Sequence, residues 1–291
     1  MTRAQPLNAM SVDVEDYFHV AALSEAISRD DWESMNSRVD GSTRRLLEVF
    51  DEAGTTATFF TLGWVAERHP ELVREIQRRG HEVACHGYSH KLVYEQTPEE
   101  FRAETLRSKG LLEDIIGQPV DGYRAASYSI TARSRWALDI LVEAGFVYDS
   151  SIFPVRHDLY GMPGAERFPH RLETDKGASI VEFPPSTARV LGQNLPAAGG
   201  GYFRLYPYSL SRWLINRVNE SEGQPAVFYL HPWEVDPEQP RVQAGWKSRF
   251  RHYNNLHKCE QRLRRLLGEF RFGTVREVLE TRGFMNGHGG A

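Results

Sequence analysis

Residues 56–90, TATFFTLGWVAERHPELVREIQRRGHEVACHGYSH, decide the fold because they alternate strand-like and helix-like segments. Residues 56–62 form a short apolar run typical of a buried strand. Residues 65–79 have the spacing of an amphipathic helix that Gly80 ends, and residues 81–85 are again strand-like. A strand, a helix and a second strand in this order predict a parallel βαβ unit.

The same rhythm extends over most of the chain. About seven such units in fewer than 300 residues predict an α/β barrel rather than an open sheet. The other predicted strands are residues 9–14, 122–124, 146–148, 179–183 and 226–230, and the other predicted helices are residues 41–54, 98–116, 131–144, 209–220, 255–267 and 274–280.

Composition excludes several classes of protein. The chain has 291 residues, of which 41% are hydrophobic and 25% charged, as in an ordinary globular protein without long disorder. It contains no run near the ~20 apolar residues of a membrane span. The net charge of −4 gives no basic excess for nucleic-acid binding, and the basic run at residues 262–265 is interpreted as the solvated side of a helix.

Two features indicate the compartment. The two cysteines, Cys85 and Cys259, suit a reducing environment. The first residues lack the apolar core of a secretion signal, so the cytoplasm is the expected location.

Ionisable residues follow five of the predicted strands directly. In a barrel the carboxyl ends of the strands meet at one mouth, so we expect these side chains to lie close together. They are Asp13, Glu15 and Asp16 after the first strand, His86 and His90 after the third, and Arg124, Asp149 and His231 after three later strands.

His86 and His90 form an H-x-x-x-H pair. On one helical turn, residues i and i+4 point the same way, so both imidazoles can bind one ion of the zinc, cobalt or nickel class. An anionic third ligand is predicted from the acidic cluster that starts at Asp13. Strand alternation favours Glu15 as this ligand, whereas a sharp turn after Val14 would favour Asp16.

His231 follows an apolar strand and precedes Pro232, which stiffens the turn. A rigidly held histidine is suited to protonate a leaving group. Asp149 is predicted to orient this histidine, and Arg124 is predicted to keep the free carboxylate charged.

Aromatic and arginine side chains near these strands are candidates for binding sugar rings. The triple glycine at residues 199–201 lacks the spacing of a dinucleotide loop, so a nucleotide site is not expected. Residues 247–255 are interpreted as a substrate lid or a helix cap. The substrate-binding candidates are Tyr88, Tyr128, Arg204 and Trp233.

The sequence resembles the polysaccharide deacetylase family, also called the NodB-homology group or carbohydrate esterase family 4. The resemblance covers residues 10–280 and rests on residues 58–63, 69–72, 80–90 and 230–231. Residues 13–18, 148–154 and 251–255 resemble the branch attached to exopolysaccharide gene clusters, including exosortase-linked ones.

The resemblance implies a distorted (β/α)7 barrel formed by a single domain over residues 1–291, with residues 238–291 as a C-terminal extension. It also implies a divalent metal, usually Zn²⁺, and removal of N-acetyl groups from an acetylated glycan near the site of polysaccharide assembly at the inner membrane. By the same resemblance, Asp13 is the base, His86 and His90 are metal ligands and His231 is the acid. Arg124 steadies the base, and Asp149 supports the histidine.

Two departures from the family pattern keep alternatives open. The usual adjacent aspartates read Asp13-Val14, so the metal carboxylate moves to Glu15 or Asp16, and the Arg-x-Pro block reads Arg124-Ala-Ala126. A metal-independent cyclic-amide hydrolase of the allantoinase type, on the same barrel, is one alternative. A catalytically dead carbohydrate-binding barrel is the other.

Overall fold

A computed structural model describes residues 5–157 and 160–286. Its main sheet has nine strands, and a separate hairpin has two. The main strands are β1 (Asn8–Val14), β2 (Thr58–Thr61), β3 (Glu82–Cys85), β4 (Gly122–Tyr123), β5 (Tyr148–Asp149), β6 (His170–Glu173), β7 (Ser179–Glu182), β10 (Val227–Leu230) and β11 (Phe272–Gly273), and the hairpin consists of β8 (Thr187–Val190) and β9 (Gln193–Pro196).

The main sheet has the order β10-β1-β2-β3-β4-β5-β7-β6, and β11 pairs with β1. Its pairs are parallel except for β6 with β7. Irregular chain lies against β10 on its far side, where Val227 N–H donates to Ser186 Oγ (2.7 Å) and Tyr229 N–H donates to Ala198 O (2.6 Å). This curled, mostly parallel sheet confirms the distorted (β/α)7 barrel.

Helices cover the outside of the sheet. They are α1 (Val39–Ala53), α2 (Gly63–Arg68), α3 (Pro70–Arg78), α4 (Pro98–Ile116), α5 (Trp136–Glu143), α6 (Gly200–Leu205), α7 (Tyr208–Asn216), α8 (Trp246–Tyr253), α9 (Leu256–Glu269) and α10 (Val275–Thr281). None of the helices in the described ranges is both long and apolar enough to cross a membrane.

Three predicted helices differ from those in the structure. The helix expected over residues 65–79 is two helices, α2 and α3, because Pro70 lacks an amide hydrogen and starts a new helix. The helix expected from residue 131 begins at Trp136, since a turn precedes it in which Thr131 N–H donates to Ser134 Oγ (2.9 Å). The helix expected over residues 209–220 ends as α7 at Asn216 and continues as a π-helical turn.

The barrel interior is filled by small and aromatic side chains, including Ala9, Ala84, Phe60 and Tyr148, and α10 packs against this cluster. All seven residues of β1 are buried, as expected for a parallel strand covered on both faces. A larger apolar cluster lies between the sheet and the outer helices.

Candidate metal centre and active site

Asp13 lies near the end of β1 with its carboxylate held by Arg124. Arg124 Nη1 donates to Asp13 Oδ1 (2.6 Å) and to Ser11 Oγ (2.9 Å), while its other nitrogens donate to the carbonyl and hydroxyl of Ser150. The arginine is fully buried and Asp13 is nearly so. This pair therefore fixes one carboxylate at the barrel mouth.

Glu15, His86 and His90 converge beside Asp13. One potential ligand atom from each lies within 4.8 Å of the others, and all three side chains are buried. His86 Nδ1 lies 2.8 Å from Arg124 O, so this nitrogen carries the proton and Nε2 is left to bind an ion. Burial lowers the pKa of His86 to about 4, which keeps the imidazole neutral as a ligand must be.

The carboxylate of Glu15 supplies an observation that fits a cation. Glu15 Oε2 is 2.7 Å from His90 Nε2, yet it has no properly aligned hydrogen-bond partner within the described residues. Burial opposes ionisation of Glu15, but His90 and His231 outweigh it and hold its pKa far below the ordinary value. Two imidazoles and one carboxylate form a ligand set that zinc accepts.

The sequence pattern predicted that the two histidines share one helical turn. In the structure they do not. His86 follows β3, and the loop after it reverses through Gly87 (φ 75°) and His90 (φ 52°). The ring centroids of the two histidines end 5.4 Å apart. The two imidazoles therefore meet through left-handed backbone positions rather than through i,i+4 helical geometry.

Asp16, the other predicted carboxylate ligand, lies outside this cluster. It accepts hydrogen bonds from Ser37 Oγ (2.8 Å) and from the backbone N–H groups of Arg38 (2.7 Å) and Val39 (3.0 Å). These amides form the N-terminus of α1, which attracts negative charge. Of the two alternatives, the geometry favours Glu15.

His231 faces both carboxylates at the mouth. Its Nε2 lies 4.0 Å from Asp13 Oδ2 and 3.6 Å from Glu15 Oε1, and its Nδ1–H donates to Glu234 Oε1 (2.7 Å). Burial lowers the pKa of His231, but the negative charges of Glu15, Glu234 and Asp13 have a larger effect and raise this pKa to about 9. The neighbouring carboxylates therefore favour the protonated imidazole.

Glu234, which was not among the predicted site residues, makes the contact with His231 that was predicted for Asp149. The short 3₁₀ turn Pro232–Val235 brings Glu234 back onto His231. Asp149 instead accepts a hydrogen bond from Ser151 and lies beside Glu182 across the β5–β7 register. The sequence feature that could have predicted this contact is the glutamate three residues after His231, because that is the spacing of a capping box.

A cavity of about 190 Å³ opens beside Asp13, Glu15 and His231. Three of the four predicted substrate-binding residues line this cavity, namely Tyr128, Arg204 and Trp233. Tyr88 is not among the lining residues, and its hydroxyl donates to Glu67 Oε2 (2.6 Å). Tyr160 and Tyr229 line the cavity without having been predicted, and Arg251 and His252 line it from the segment 247–255 that was interpreted as a lid or a cap.

Trp233 and Arg204 support the site as well as line it. The Trp233 ring stacks between His231 (centroids 5.0 Å apart) and His252 (4.3 Å), and its Nε1–H donates to Glu15 Oε1 (3.3 Å). Arg204 is 2% exposed and pairs with Glu234. Its guanidinium also donates to the backbone carbonyls of His252 and Asn254, so it is held by partners within the protein.

The Tyr128 loop has an unusual backbone. Ser127 (φ 50°) and Tyr128 (φ 55°) are consecutive non-glycine residues in the left-handed region, and both line the cavity. Such strain is characteristic of functional sites.

These features define a distorted barrel with an enzyme-like cluster of acid, base and ligand groups at its carboxyl mouth. Residues 28–147 match the family model described as polysaccharide deacetylase, and residues 150–280 match one described as a domain of unknown function, DUF3473. The segment 28–147 is therefore similar to polysaccharide deacetylases.

Individual proteins show the same relationship. The chain is 33% identical over 108 residues to the peptidoglycan deacetylase of Helicobacter pylori, covering 37% of this chain and 36% of that protein. The crystal structure of a putative polysaccharide deacetylase from Mycobacterium smegmatis superposes with a TM-score of 0.63 at 20% identity, covering 97% of this chain and 91% of that one. The Puue allantoinase has a TM-score of 0.60 at 16% identity, with 97% and 93% covered, so it shares the fold. The chain spans between about a quarter and a little over half the length of curated relatives that it matches.

Proposed function

We propose that the protein is a metal-dependent hydrolase that removes N-acetyl groups from a polysaccharide or a glycan intermediate. The observation that carries the proposal is the convergence of Glu15, His86 and His90 beside the Asp13–Arg124 pair and the acid His231. Relatives named as peptidoglycan and chitooligosaccharide deacetylases support the choice of an N-acetylated sugar.

Zn²⁺ is the proposed metal, with Glu15, His86 and His90 as its protein ligands. The donor set fits a borderline-soft divalent cation, as does the lack of an aligned hydrogen bond to Glu15 Oε2 within the described residues. When bound, the ion supplies Lewis-acid polarisation of the acetyl carbonyl and lowers the pKa of a water molecule.

Two side chains move the protons. Asp13, fixed by Arg124, accepts a proton from the water that attacks the acetyl carbon. His231, fixed by Glu234, donates the proton on Nε2 to the departing amine as the carbon–nitrogen bond breaks. The products are acetate and a free amino sugar. The 4.0 Å distance between His231 Nε2 and Asp13 Oδ2 allows both groups to face one amide.

We propose that the reaction modifies an exopolysaccharide, either in the cytoplasm or at the site on the inner membrane where the polysaccharide is assembled. Support comes from the resemblance of residues 13–18, 148–154 and 251–255 to that branch. We also assign residues 238–291 to the same domain as the barrel, since β11 pairs with β1 and α10 packs on the barrel core.

The test measures acetate release from N-acetylated oligosaccharides together with bound zinc. Chelation should abolish turnover of the wild-type protein, and added Zn²⁺ should restore it. His86→Ala and His90→Ala should each lower turnover by at least about 100-fold and reduce bound metal, because each removes a ligand. Tyr88→Phe, which alters a side chain outside the cavity, is the matched control.

Two other results would favour the alternative functions. Full turnover of a cyclic amide by metal-free protein would favour the allantoinase-type reaction. Binding of glycans without turnover of any acetylated substrate would favour a dead carbohydrate-binding barrel.

A further inference from the structure

The C-terminal end of α8 is fastened to the wall of the cavity by Arg204. The Arg204 guanidinium donates to the carbonyl oxygens of Arg251 (3.1 Å), His252 (2.8 Å) and Asn254 (2.9 Å). Asn255 Nδ2 donates in return to Arg204 O (2.9 Å). The backbone at Arg251 is therefore fixed relative to the catalytic groups.

Arg251 lines the same cavity as Asp13 and His231. It is solvent-exposed, and within residues 5–157 and 160–286 no carboxylate lies within 4.0 Å of its guanidinium. The other two arginines in contact with the site are neutralised, since Arg124 pairs with Asp13 and Arg204 with Glu234. Arg251 is thus an uncompensated cation at the mouth.

The charge around Arg251 is uniformly positive along the sequence. Helix α8 also carries Lys247 and Arg249, and residues 239–259 contain no aspartate or glutamate, although the net charge of the chain is −4. Clustered charge of one sign beside a cleft attracts ligands of the opposite sign. An arginine that is free of internal partners offers a planar fork matched to carboxylate and phosphate oxygens.

We propose that Arg251 makes the site selective for N-acetylated glycans that carry an anionic group close to the acetamido sugar. This inference rests on the proposed deacetylase function. The anionic group is a uronate carboxylate on an adjacent sugar or the diphosphate of an activated sugar, and the two sources share the same recognition chemistry.

The experiment compares kcat/KM for three probes. They are a neutral N-acetylchitooligosaccharide, an oligosaccharide of similar length that alternates N-acetylglucosamine with glucuronate, and UDP-N-acetylglucosamine. Arg251→Gln should lower the ratio of anionic to neutral kcat/KM by about tenfold or more for the source that the enzyme uses, and Arg251→Lys should restore part of it. The anionic probe that shows the loss identifies the source.

Arg249→Gln is the matched control because it removes the same charge from the same helix. Arg249 lines a separate groove with Trp246 and Phe250, so its loss should change the ratio less than about twofold. An anionic-to-neutral kcat/KM ratio that is the same in wild type and Arg251→Gln would overturn the inference. An equal loss of this ratio in Arg251→Gln and Arg249→Gln would also overturn it, because such a result indicates only a diffuse electrostatic effect.

Calorimetric binding of the same probes separates this inference from the proposed function. If no probe releases acetate, the proposed function fails, yet wild-type protein should still bind an anionic probe more tightly than Arg251→Gln does. Added salt should reduce that difference. Absence of binding of both anionic probes to the wild-type protein would overturn the selectivity.

Discussion

At the residue scale, the orientation of His231 depends on Glu234. Glu234→Gln retains the size of the side chain but removes the negative charge that holds His231 Nδ1–H. We expect kcat to fall by about 10- to 100-fold, with KM and bound zinc nearly unchanged, because the variant alters the support of a catalytic group and no ligand. Steady-state kinetics and metal analysis measure these quantities.

Asp149→Asn is the informative comparison for Glu234→Gln. Asp149 contacts Ser151 and lies beside Glu182, away from the imidazole, so its loss should reduce kcat much less. A larger loss in Asp149→Asn than in Glu234→Gln would restore the role inferred from the family resemblance.

The contrast between Asp149 and Glu234 shows which parts of the site the sequence can predict. Asp13, His86 and His231 were found because each lies at or just after the end of a strand, and the ends of parallel strands meet at one mouth. Arg204 was selected from the sequence, but its pairing with Glu234 and with the end of α8 required the structure, because these residues are distant in the sequence.

At the scale of elements, the adjacent carboxylates Glu15 and Asp16 face the proposed metal centre and the start of a helix, respectively. Asp16 accepts three hydrogen bonds at the start of α1, so Asp16→Ala should lower the free energy of unfolding by about 1–2 kcal/mol, as loss of a helix cap does. Zinc content should be unchanged. Glu15→Gln should instead lower zinc affinity by at least about 100-fold. Urea unfolding and metal titration measure the two effects.

The reverse assignment, with zinc lost in Asp16→Ala and retained in Glu15→Gln, would show that Asp16 is the ligand. The sequence left this choice open because the direction of a side chain depends on whether the strand continues or turns after Val14. In the structure β1 ends at Val14, and Glu15 N–H donates to Asp13 O (3.0 Å). A turn at this point was expected to favour Asp16, but it directs Glu15 towards the histidines and Asp16 towards α1.

Predicted element boundaries were reliable where local signals agree. Helix α4 has the predicted limits because Thr97 and Glu100 form a capping box at its start and Gly117 (φ 67°) ends it. The predicted helix over residues 65–79 was wrong at its centre, because its apolar spacing continues across Pro70 although its backbone hydrogen bonds do not.

At the scale of the whole molecule, the two halves of the chain contribute different parts of one site. The half that matches the deacetylase model supplies His86, His90 and Arg124, and the half of unknown function supplies His231 and its supporting residues. Parallel pairing of β1 with β10 places Val12 opposite Leu230, so Asp13 and His231 follow at the same level. The barrel therefore brings the proposed base and acid together through strand register.

The buried Asp149–Glu182 pair makes the stability of the whole barrel depend on pH. Both side chains are inaccessible to solvent and lie opposite each other in the β5–β7 register. Burial raises the pKa of Asp149 to about 6, and burial together with neighbouring Asp149 raises the pKa of Glu182 well above its ordinary value. The folded protein thus keeps a proton that the unfolded chain, with an ordinary carboxyl pKa of about 4, loses.

The pair should therefore destabilise the fold as pH rises from about 4 through 6 and beyond, by up to about 1.4 kcal/mol per pH unit for each retained proton. Glu182→Gln cannot ionise, so it should weaken this decline and gain stability relative to wild type between pH 5 and pH 8. Urea unfolding of both metal-free proteins at several pH values measures the difference. Parallel pH profiles for the two proteins would show that the pair retains no extra proton in the folded state.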